Sequence, residues 1–105
     1  MFKYRALVHY NFKEGDEQKG IKFLENELLK KAKESGCHDF ELWHDEHNPQ
    51  HVIGIGLWNT IEDARKFQSL WSMKERELAH YCREMPHHEI YKIRSSFESK
   101  LKKVA

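Results

Sequence analysis

Residues 51–71, HVIGIGLWNTIEDARKFQSLW, read as an apolar strand that ends in a tryptophan and turns at once into a helix. From Val52 to Trp58 there is no polar side chain, the pattern of a strand covered on both faces. Asn59-Thr60 interrupts it. Thr60 is placed to N-cap a helix, Asp63 completes a capping box three residues on, and Glu62 and Asp63 complement the helix dipole. Ala64, Phe67 and Trp71 then recur at helical spacing. Two large aromatics flank one strand-to-helix junction, which makes this stretch the expected wall of any pocket, although aromatics so placed also serve as plain core.

Upstream, residues 3–12 alternate, with Tyr4, Ala6, Val8, Tyr10 and Phe12 on one face and Arg5, Leu7, His9 and Asn11 on the other. Glu14-Gly15-Asp16 supplies a turn and a cap, after which Ile21, Leu24, Leu28 and Ala32 form a helical stripe that ends near Gly36. Phe23 falls off that stripe and is expected to be an isolated exposed aromatic. Residues 37–45 alternate again, Phe40, Leu42 and His44 opposing Asp39, Glu41 and Trp43, and the Asn48-Pro49 turn joins them as a hairpin to the central strand. After Trp71, Ser72 and Glu75 make a second capping box, so the helix is expected to break and restart there, carrying Leu78, Tyr81 or Cys82, and Met85 inward. Residues 87–97 are the expected last strand. Residues 1–97 thus make one domain, with 98–105 a basic C-terminal tail.

The order βαββαβ predicts an α+β ferredoxin-like sandwich, two helical layers on one face of a four-stranded antiparallel sheet. In the central strand Ile53, Ile55 and Leu57 alternate with Val52, Gly54, Gly56 and Trp58, so whichever set meets the helices, the other face is left apolar or bare. That predicts a homodimer.

The chain has 105 residues, with 18 basic and 17 acidic side chains that nearly cancel. No global field therefore marks nucleic acid or an anionic membrane as partner, and no stretch approaches the roughly 20 apolar residues of a membrane span. An RNA-recognition domain shares the βαββαβ order, but HVIGIGLW lacks that module's interior stacking aromatics. Two cysteines, Cys37 and Cys82, form no CxxC pair and suit a reducing, cytoplasmic setting.

Lys13-Glu14-Gly15, Gly36, the Asp45 to Pro49 hairpin and above all Trp58-Asn59-Thr60-Ile61-Glu62-Asp63-Ala64 resemble the dimeric α+β barrel superfamily, in particular its antibiotic-biosynthesis-monooxygenase-like domains. The resemblance covers about residues 4–94 and implies face-to-face sheet packing in a homodimer. It also implies monooxygenase activity on an aromatic small molecule without a bound organic cofactor. The same fold includes non-catalytic binding proteins, and one branch cleaves heme. For that branch His80 would be the iron ligand, with Trp58 on the neighbouring strand and Asn11 on the first strand, although the Trp58–His80 interval is long and Asn11 sits late.

From these readings the catalytic candidates are His80, Trp58 and Asn11, with Tyr10, Gly54, Gly56, Phe67 and Trp71 as substrate-binding candidates. The strand glycines leave room beside Trp58 for a ligand or for close packing. His80, Tyr10 and Asn11 are the groups able to favour a substrate anion. His44, His47 and His51 cluster at the hairpin tip with Asp45 and Glu46, but their spacing fits no familiar metal motif, and no bound metal is expected. His87 and His88 face opposite ways on one strand and cannot share a site.

Overall fold

The structure, a computed structural model, describes residues 3–97. Strand β1 (Tyr4–Asn11) is followed by a helical rod of three parts, α1 (Glu17–Phe23), a π-helical segment (Leu24–Leu28) and α2 (Leu29–Glu34). Strands β2 (Asp39–His44) and β3 (His51–Trp58) make the hairpin, α3 (Ile61–Glu75) runs on into a 3-10 segment (Arg76–Tyr81), and β4 (His87–Lys92) closes the fold. All pairings are antiparallel, in the order β2-β3-β1-β4, and the fold is an α+β ferredoxin-like sandwich. No helix of the described residues is long and apolar enough to cross a membrane.

The helices cover the face carrying Ala6, Val8 and Tyr10 of β1, Phe12 just beyond it, and Val52 and Trp58 of β3, all buried. Register sets Tyr4 against Trp58 and Tyr10 against Val52, so Trp58 and Tyr10 lie at opposite ends of the central pair, about 20 Å apart along the strand. Helix α3 spans the same distance, starting beside Trp58, where the Thr60 side chain accepts from the Asp63 N–H at 3.1 Å, and ending beside Tyr10. Gly54 and Gly56 share the helix face. Leu7, Ile53, Ile55 and Leu57 line the open face, where Trp43 and Tyr91 are half exposed.

Several local expectations need correction. Phe23 is not isolated: its ring lies 6.2 Å from that of Trp71 and packs on the core. The buried residues Gly20, Leu24, Leu28 and Ala32 repeat every four, which in an α-helix drifts by about 40° per step. The wider π turn reverses that drift in mid-rod, and the buried stripe swings toward Phe23. Gly36, at φ 80°, ends the rod as expected, and the Cys37 N–H donates to the Ala32 carbonyl at 3.1 Å.

Helix α3 does not break at Ser72. The Ser72 hydroxyl donates back to the Ser69 carbonyl at 2.9 Å, and Glu75 turns inward instead of capping. Leu78 and Cys82 are buried as expected, but Met85 is 88% exposed, because the chain after Tyr81 leaves helical geometry. The last strand stops at Lys92 and Phe97 is exposed. The tail expected at 98–105 lies outside the described residues.

Candidate functional site

The end of α3 brings together a buried polar chain. The Trp71 indole N–H donates to the Tyr10 hydroxyl at 2.7 Å, and that hydroxyl donates to Glu75 Oε2 at 3.1 Å. Glu75 Oε1 lies 3.0 Å from His88 Nε2. Tyr10 of β1 and His88 of β4 thus hold one carboxylate of α3, with Trp71 behind Tyr10, and the Glu75 side chain is 12% exposed. A carboxylate at the C-terminal end of a helix faces the negative end of the dipole, so two donors are needed to hold it there. Burial first, and then the Glu75 charge, push the Tyr10 phenol well above its ordinary value of 10.0. Tyr10 is therefore a fixed neutral donor rather than a base, and Glu75 is the group left to accept a proton.

Glu75 opens onto a cavity of about 350 Å³ between the end of α3 and the approach to β4. Ala79, Cys82, Met85 and Pro86 give it apolar walls, and Ser72, Arg76 and Glu84 complete the lining. The size is within the range of small-molecule sites. The connecting segment is tied to the end of β1, with the Arg83 N–H donating to the Asn11 carbonyl at 2.7 Å and the Lys13 N–H to the Tyr81 carbonyl at 2.8 Å. Burial and the Glu75 charge push the Cys82 thiol from 9.0 up to about 11, so it is a neutral wall rather than a nucleophile.

Of the residues expected from sequence, Tyr10 and Trp71 meet here. The others do not. Trp58 is wholly buried at the far end of the sheet, its ring 5.0 Å from Phe67 and 6.3 Å from Phe40. A side chain at Gly56 would run into the Trp58 ring, so that glycine serves close packing and the space beside Trp58 is filled. Gly54 is likewise pressed by Leu28, Phe40 and Val8. The indole N–H of Trp58 has no acceptor among the described residues. Asn11 follows His9 on the open face, away from the cavity. His80 is exposed on the 3-10 segment with its ring 4.0 Å from that of Tyr81. His80, Trp58 and Asn11 therefore share no pocket, and these residues do not fit a heme.

Sequence reading missed Glu75 and His88. The signal for Glu75 was its place four residues after Trp71, a carboxylate continuing the stripe of Phe67 and Trp71. His88 carried none beyond its parity against His87, which does separate them: His88 turns to Glu75 and His87 to Glu89 on the open face.

No protein-family model and no curated protein matches the chain. Solved structures do match. A Nitrosomonas europaea protein of unknown function superimposes with a TM-score of 0.79 at 16% identity, over 94% of this chain and 96% of that one. A dimeric ferredoxin-like protein from an uncultured marine organism gives 0.76 at 12% identity over 95% of both chains. A protein named antibiotic biosynthesis monooxygenase gives 0.71 at 13% identity, over 84% of this chain and 95% of that one. At these identities the likeness is one of fold alone, the α+β ferredoxin-like fold that the chain shares with these proteins.

Proposed function

We propose that the protein is a homodimeric monooxygenase of a hydroxylated aromatic small molecule, working without a bound organic cofactor, with Glu75 as its base. The observation that carries this reading is the Glu75 carboxylate, held between Tyr10 and His88 and opening onto the 350 Å³ cavity. A protein of the same fold bears the name antibiotic biosynthesis monooxygenase. The apolar walls receive a planar ring, Glu75 accepts the proton of its phenol, and Arg76 faces the resulting phenolate, an electron-rich anion that dioxygen attacks. The substrate supplies the electrons. The ring carbon para to the phenolic oxygen, which bears one hydrogen, becomes a carbonyl with one oxygen atom, and the other oxygen leaves as water with that hydrogen and the phenolic proton held by Glu75. His88 and Tyr10 orient Glu75 and touch no substrate.

Homodimerisation is supported by the apolar open face, with Ile53, Ile55 and Leu57 beside half-exposed Trp43 and Tyr91, and by the dimeric relative of the same fold. Two free cysteines agree with a cytoplasmic setting.

Glu75→Gln tests the chemistry, because the amide still accepts from Tyr10 but no longer takes a proton at neutral pH. With a panel of quinols and polyphenols, oxygen uptake should fall at least about a hundredfold while binding, read by tryptophan fluorescence, changes less than about tenfold. Binding by wild type without any oxygen uptake would instead make this a non-catalytic binding protein. Leu57→Lys should convert the dimer to monomer by light scattering.

A further inference from the structure

The open face of the sheet carries a second polar array that the reaction does not use. Asp45 Oδ2 lies 3.0 Å from His51 Nδ1, His51 Nε2 lies 3.2 Å from His9 Nδ1, and His9 Nε2 lies 2.8 Å from Glu89 Oε1. The chain Asp45–His51–His9–Glu89 crosses from the hairpin over both central strands to β4. The two imidazole planes differ by 8° and their centroids are 5.4 Å apart. That separation equals the nitrogen–nitrogen distance plus one ring radius at each end, so the rings lie edge to edge in one plane. This is the geometry of an in-line hydrogen bond, not of two ligands converging on a metal.

Three contacts require three ring N–H groups, toward Asp45, between the rings and toward Glu89. Two neutral imidazoles have only two. With two, a lone pair faces a carboxylate or both inner nitrogens are bare; with four, two N–H groups collide between the rings. The chain closes only when the pair holds one extra proton, a single positive charge between two carboxylates. Donation from Tyr91 and then from His9 holds the Glu89 carboxyl below its usual range, and donation from His51 does the same for Asp45. The other ionisable groups facing the pair are His87, 3.7 Å from Glu89, and Glu41, opposite Ile55.

We infer that a second copy of the chain, docked on this face, is held or released according to the proton shared by His9 and His51. Association is strongest where the pair carries one extra proton and weakens at both higher and lower pH. The inference rests on the homodimer proposed above. Charge complementarity favours a second copy as occupant: Lys3 and Arg5, with Asp39, mark the Leu57 end of this face, net positive, Asp45 marks the His51 end, and the row between carries Leu7 and Ile55 flanked by Glu89 and Glu41. A twofold axis across the strands sets the cationic end of one copy over the anionic end of the other. Once the face is covered, water no longer repairs a broken contact in the chain, so the wrong proton count opposes docking.

The test is the dimer dissociation constant by sedimentation equilibrium from about pH 5 to about pH 9, the range over which histidines titrate. Wild type should show a minimum, with the constant rising roughly tenfold or more on each side, about 1.4 kcal/mol per tenfold. A chain with both His9→Gln and His51→Gln, which has neither ring to titrate, should give a flat profile. A wild-type dimer indifferent to pH, or a dependence that persists in that double variant, overturns the proton linkage and leaves the dimer standing. A monomer at every pH overturns the dimer itself. Ring-nitrogen NMR of wild type needs no variant: at the pH of tightest association three of the four nitrogens should be protonated, and two or four would refute the count.

Discussion

Changing Tyr10 to Phe removes one oxygen atom and two hydrogen bonds at once. The Trp71 N–H, fully buried, is left without an acceptor, which costs about 1–3 kcal/mol. Glu75 loses one of its two donors, and a hydrogen bond to a charged group contributes about 1.5–3 kcal/mol. Phenylalanine has no hydroxyl to desolvate, which offsets roughly 1 kcal/mol of the sum. The expected loss is thus about 3 kcal/mol, or roughly 12–24 °C in Tm for a domain of this size. Urea denaturation followed by tryptophan fluorescence and circular dichroism measures it, with an unchanged m-value showing that the folded state is the same. Adding Trp71→Phe to the Tyr10→Phe chain should cost less than Trp71→Phe alone, since the stranded donor goes with the indole. If Tyr10→Phe lies within about 0.5 kcal/mol of wild type, the hydroxyl does not bridge Trp71 and Glu75 and the candidate site loses its support.

Gly56→Ala should destabilise by about 1–3 kcal/mol or more in the same assay, because the added methyl meets the Trp58 ring and Phe40; a neutral result would mean that there is free space beside Trp58. His80→Ala, an exposed change, should leave stability within about 0.5 kcal/mol and oxygen uptake unaltered. Alkaline stability should show Cys82 and Tyr10. Both are pushed upward on folding, so their contribution is complete below the unfolded values and is lost as pH rises. For Cys82 that window runs from 9.0 to about 11, with a slope of at most about 1.4 kcal/mol per pH unit, and Cys82→Ala should reduce the slope below pH 10 to the part left by Cys37, whose thiol is also pushed upward by burial.

Strands and helices could be read where one period dominated, as in the alternation of β1 or the Thr60 cap. The parity of β3 could not. Ile53, Ile55 and Leu57 are as apolar as Val52 and Trp58, and it takes the register with Ala6, Val8 and Tyr10 and the Trp58 ring lying over Gly56 to show which set goes under the helices. Glu75 shows the same limit from the other side. Ser72 and Glu75 satisfy a local capping pattern, yet Tyr10 and His88, distant in sequence, offer the carboxylate better partners, and the helix runs through. Half of the polar chain, Tyr10 and Trp71, was found because aromatics advertise burial. The half that carries charge was hidden, since an acidic residue in a helix reads as surface until its neighbours across the fold are known.

The π segment at Leu24–Leu28 has the character of a one-residue insertion. Count Asn26 out, and Gly20, Leu24, Leu28 and Ala32 fall at steps of four, three and four, the spacing of an ordinary α-helix stripe. Asn26 is exposed and lies in the middle of the wide turn. Deleting a residue from a helix usually rotates everything downstream by about 100° and ruins the buried face. Here the deletion should do the reverse, returning the rod to a regular i→i−4 ladder with the same side chains inward and its end drawn back by about 1.5 Å. A shortened chain that still folds, with the Gly36 turn and β2 following the small retreat, would mark position 26 as a place where this fold's length can vary while its core does not.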